Sequence, residues 1–74
     1  MTDTTNAPIP DGPADREPVG FLPTEEQRAA ILAELAAAGV ELGAYDRRIV
    51  DWMAQMMDWG TAATILGWVR RART

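Results

Sequence analysis

The chain has 74 residues and a formal net charge of −4, with seven arginines, three tryptophans and no lysine, histidine, cysteine or serine. A chain this short forms one small domain, burying only about 60% of the surface that its unfolded form exposes. Without Cys it has no disulfide, and with neither Cys nor His it offers no zinc site, so burial must come from helix packing or from association.

The opening stretch MTDTTNAPIP has neither a positive n-region nor an apolar h-region and does not read as a secretory signal. The longest weakly polar run, Trp59 to Val69, has 11 residues, against roughly 20 for a spanning helix. A cytoplasmic location is expected. All five prolines lie in the first 23 residues, among Thr, Asp, Asn and Gly, a composition that sustains no helix and buries little. Residues 1–22 are therefore expected to be a disordered arm, and deleting residues 1–18 is expected to leave the melting temperature nearly unchanged. The exception is Val19 to Leu22, which could dock as a hydrophobic staple before the first helix.

Residues 23–74 read as an all-α, three-helix domain with helices over about 25–38, 45–57 and 59–72, the last two forming a helical hairpin. The first has Thr24 as N-cap, Gln27 as its capping-box partner, Glu25 and Glu26 in the first turn, and Gly39 as the stop. Its apolar stripe runs Ile31, Leu32, Leu35 and Ala38, with Arg28, Glu34 and Glu41 off that face. The second carries Ile49, Trp52, Met53 and Met56 at i, i+3, i+4 and i+7, the spacing of one buried face, widened by Val50 and Met57. Asp58 caps the third, whose stripe is Ala62, Ile65, Leu66 and Val69.

That third helix also carries Gly60, Ala63, Thr64 and Gly67 at helical spacing on its other side. Gly67 in mid-helix costs about 1 kcal/mol relative to Ala, so something should offset it. A strip without side chains lets another helix or a large ring approach closely, and Trp59 and Trp68 stand beside it. Trp and Met are enriched at adaptable contact surfaces. Trp59, Gly60, Ala63, Thr64, Gly67, Trp68 and Met57 are thus the expected partner-binding residues, the partner being a second copy (a homo-oligomer) or a bacterial protein.

Two short helices joined by a glycine-bearing turn also match the outline of a helix-turn-helix, in which Arg47, Arg48, Arg70, Arg71 and Arg73 would grip phosphates. The first turns of the third helix, however, offer no Arg, Lys, Asn or Gln for a bidentate base contact. DNA binding is the alternative function. Acid/base catalysis would rest on carboxylates alone, and Asp46, Asp51 and Asp58 have simpler roles at helix starts and on solvated faces. No catalytic residue, metal or cofactor is expected, and the protein is not expected to be an enzyme.

The run YDRRIVDWMAQMMDWGTAATILGWVRRA resembles the carboxy-terminal half of short proteins of actinobacteria, their phages and integrated elements, in which a Trp-Asp-Trp-type turn precedes a TAATILGWVRRA-like helix. The resemblance covers 28 to 30 of the 74 residues, and here the turn has Met57 where the first aromatic would stand. It implies a bacterial, cytosolic origin in a GC-rich genome, in keeping with the absence of lysine, and brings no activity with it. It also makes an element-encoded inhibitor of a host protein a special case of the interaction reading.

Overall fold

The computed structural model describes residues 8–73. Three helices, α1 (Thr24–Ala37), α2 (Ala44–Met56) and α3 (Trp59–Ala72), make up the fold, with no strand among the described residues. Both α2 and α3 pack against α1 and scarcely touch each other, so the expected hairpin is a pair of helices splayed across a common support. No helix of the described residues is long and apolar enough to cross a membrane.

At the start of α1 the capping differs from expectation. Pro23 holds the N-cap position, its carbonyl accepting from the Gln27 amide at 2.8 Å, and Thr24 makes no capping bond. Gln27 faces the interior instead, 2% exposed, and its Nε2 donates to the Met53 carbonyl at 3.0 Å and the Met57 carbonyl at 2.9 Å. The last carbonyls of a helix have no partner within it, so a side chain of α1 completes the end of α2. Gly39 does stop α1. Its φ of 77° is left-handed, and the bonds from Gly39 N–H to the Ala36 carbonyl and from Val40 N–H to the Leu35 carbonyl, both 3.0 Å, form a Schellman motif.

Asp46 Oδ2 accepts from the Gly43 N–H at 2.9 Å and fixes the start of α2. Asp58 caps α3 as expected, accepting from the Thr61 amide at 3.2 Å and the Thr61 hydroxyl at 2.8 Å. These two bonds, the hydroxyl foremost, hold the Asp58 carboxyl below the usual Asp range.

The core is small: Ile31, Val50, Trp59, Ala62, Ala63 and Leu66, ringed by Ile9, Leu22, Ala30, Leu32, Leu35, Leu42, Met53 and Met57. Two of its six members are alanines, which brings backbones close and leaves few large groups to bury. Glu34, expected off the apolar face, is 9% exposed between α1 and α3, where Arg70 donates Nη2 to its Oε2 at 2.6 Å. Only the Glu34 end of this pair is enclosed, since the Arg70 side chain keeps 29% of its surface exposed, so the main role of the arginine is to satisfy a carboxylate that burial would otherwise leave without a partner.

Residues 8–22 form neither helix nor strand, yet they lie on the helices rather than apart from them. Ile9 and Leu22 pack against the core. Arg70 Nη1 donates to the Ile9 carbonyl at 3.4 Å and to Asp11 at 3.1 Å. Of the expected staple only Leu22 docks, since Val19 and Phe21 are exposed.

Candidate interaction surface

The face that α2 turns toward α1 is Val50, Met53, Ala54 and Met57. Val50 and Ala54 are each 4% exposed, and Met53 and Met57 are half-buried against the core. Val50, Met53 and Met57 thus lie on the buried side as expected, whereas Ile49, Trp52 and Met56, expected there too, do not, which corrects the expected stripe by a rotation of the helix. Both sets obey i, i+3, i+4, i+7, so periodicity alone ranks them by bulk and picks the larger one. Three contacts fix the observed rotation: Gln27 with the Met53 and Met57 carbonyls, and Arg28 Nε with Asp51 Oδ1 at 2.8 Å. The small Ala54 then lets the two helices approach.

As a result Tyr45 (69% exposed), Ile49 (40%), Trp52 (54%) and Met56 (68%) face outward. Their steps of four, three and four residues place all four within an arc of about 60° and along about 16 Å of helix. Scattered exposed apolar residues are ordinary, but a contiguous line with a Trp and a Tyr is the composition of a contact surface. On its rim stand Arg48 and Gln55, both exposed, and Asp46, engaged with Gly43.

The residues expected to bind a partner are mostly inside. Trp59 is 3% exposed and Ala63 fully buried, Gly60 and Gly67 are buried, and Met57 and Thr64 are half-buried, with the Thr64 hydroxyl donating to the Gly60 carbonyl at 2.8 Å. The strip does permit a close approach, but of the chain's own arm. A Cβ on Gly67 would stand 3.0 Å from the Pro10 carbonyl oxygen, and one on Gly60 would stand 2.6 Å from Glu17 Cγ. A side chain at Gly67 would require the Pro10 backbone to give way, which is the structural reason for a glycine there. Of the seven, only Trp68 is exposed, at 57%, beside an open groove of about 450 Å³ between residues 14–17 and α3. The Trp59 indole Nε1 is buried with no hydrogen-bond acceptor among the described residues.

The arginines divide likewise. Arg47 and Arg48 are exposed on α2. Arg70 is held by Glu34 and Asp11, which raise its pKa further, Glu34 the more strongly. Arg73 lies 3.9 Å from Glu34, and Arg71 Nε donates to the Gly67 carbonyl at 3.4 Å. The first turn of α3, where a recognition helix would read bases, has Trp59, Gly60, Ala62 and Ala63 buried. Among the described residues no group of three or more acidic, His or Cys side chains gathers as a metal site.

No protein-family model, curated protein or solved structure matches the chain. Fold and surface together define a small all-α protein of three helices, with one apolar helix face turned outward and a proline-rich arm folded over another.

Proposed function

We infer that this protein is a non-enzymatic helical interaction module whose contact surface is the outward face of α2. The observation that carries the inference is the exposed line Tyr45, Ile49, Trp52 and Met56, on a helix whose rotation is fixed by other residues. Helix-face recognition works through such anchors at one-turn spacing laid into an apolar groove or against another helix. The residue inventory supports the non-enzymatic half, since without His, Cys, Lys or Ser acid/base work falls to carboxylates, and Asp46 and Asp58 are engaged at helix starts and Asp51 with Arg28.

The experiment is capture from a GC-rich bacterial extract on the immobilised chain, comparing wild type with Trp52→Glu and Met56→Glu. Both positions are exposed, so the variants should keep wild-type helicity while losing the captured protein. Retention of the same protein by both variants would refute the assignment of this face.

A further inference from the structure

Resting on the reading of α2 as the contact face, we propose that its occupant is a second copy of this chain, with the two α2 helices antiparallel. The apolar line has the same spacing read in either direction. Reversing a copy sets Tyr45 against the second copy's Met56 and Ile49 against the second copy's Trp52, so each ring meets a smaller or more adaptable side chain. A parallel pair would instead set Trp52 on Trp52 and place both positive helix ends together, whereas reversal brings each helix start beside the other's end. On the rim, reversal brings Arg48 alongside the second copy's Gln55, a donor meeting an amide oxygen.

The available area sets the strength. An aromatic side chain offers about 150–250 Å², so at these exposures the four residues provide on the order of 400 Å² per copy. A standard stable interface uses roughly 800 Å² per partner. The pair is therefore a weak, concentration-dependent dimer.

Because the chain has no cysteine, single cysteines report the arrangement without background. Under mild oxidation, a mixture of Tyr45→Cys and Met56→Cys should give a cross-linked heterodimer, while each alone should stay largely uncross-linked. Sedimentation equilibrium of the full-length chain from roughly 10 µM to 1 mM should show the mass rising toward twice the monomer. The Trp52→Glu variant, with helicity unchanged, should remain a monomer. Preferential self-linking of Tyr45→Cys would overturn the antiparallel pairing, and a Trp52→Glu dimer equal to wild type would overturn the face. A chain monomeric throughout overturns the second copy as occupant. If extract capture nevertheless depends on Trp52 and Met56, the interaction reading survives that loss, and if capture is also indifferent to them, both fall.

Discussion

Replacing Gln27 by Leu removes two hydrogen bonds at nearly constant volume. The Met53 carbonyl keeps the Met57 amide at 3.1 Å, but the Met57 carbonyl loses the donor that Gln27 supplies at 2.9 Å. A buried acceptor left alone costs about 1–3 kcal/mol, and this site is partly buried, so with the net loss of the bonds the expected cost is about 1.5–2.5 kcal/mol. For a domain of this size that is roughly 6–20 °C in melting temperature. Gln27→Glu, similar in shape but unable to donate when ionised, should be worse at neutral pH, because it sets a negative charge against carbonyl oxygens. Thr24→Ala is the control: a capping box predicts a loss of about 1 kcal/mol there, whereas Thr24 makes no capping bond and should be close to neutral. Thermal and urea denaturation of the three variants decides it. A cost below about 0.5 kcal/mol for Gln27→Leu, with a clear loss for Thr24→Ala, would refute the tie between α1 and α2.

Deleting residues 1–18 removes Ile9 from the core edge, the Asp11 contact and the cover over Gly60 and Gly67, and should cost about 1–2 kcal/mol in urea melts; no change would mean the arm does not dock. Trp59→Phe should cost less than about 1 kcal/mol because it also removes an unpartnered buried donor, whereas Trp59→Ala should cost about 3–5 kcal/mol; equal losses would contradict that placement. The lowered Asp58 pKa means its cap contributes fully above the ordinary Asp value, about 3.9, and is lost as pH falls through the lower folded value. Asp58→Asn should therefore flatten the acid limb of the stability profile below about pH 4, and an unchanged limb would count against the cap.

Helix number, order and ends were legible because they are written locally. Gly39 is the residue that tolerates a left-handed φ, and Asp58 is a short acceptor ahead of a helical run, so α1 ends and α3 begins within a residue of expectation. The rotation of α2 was not legible, because two stripes share one spacing and the choice between them lies in Gln27 and Arg28, residues of another helix. The same limit hid the second task of Gln27. The glycine strip was correctly read as a place of close approach. Its occupant, an arm whose proline content argued for disorder, is set by contacts from Pro10 and Glu17 to residues some forty to sixty positions away. An ordinary-looking Glu34 proved enclosed because its partner, Arg70, lies 36 residues further on.

The most direct test of the α2 face is photo-cross-linking in bacterial cells, with a photoreactive phenylalanine analogue placed at Trp52 in one variant and at Thr64, on the arm-covered side of α3, in another. If the outward face of α2 is the contact surface, position 52 gives a discrete adduct, with a second copy or with another protein, and position 64 gives none beyond the chain itself. Adducts with other molecules from position 64, with none from position 52, would contradict the assignment and return the contact to α3.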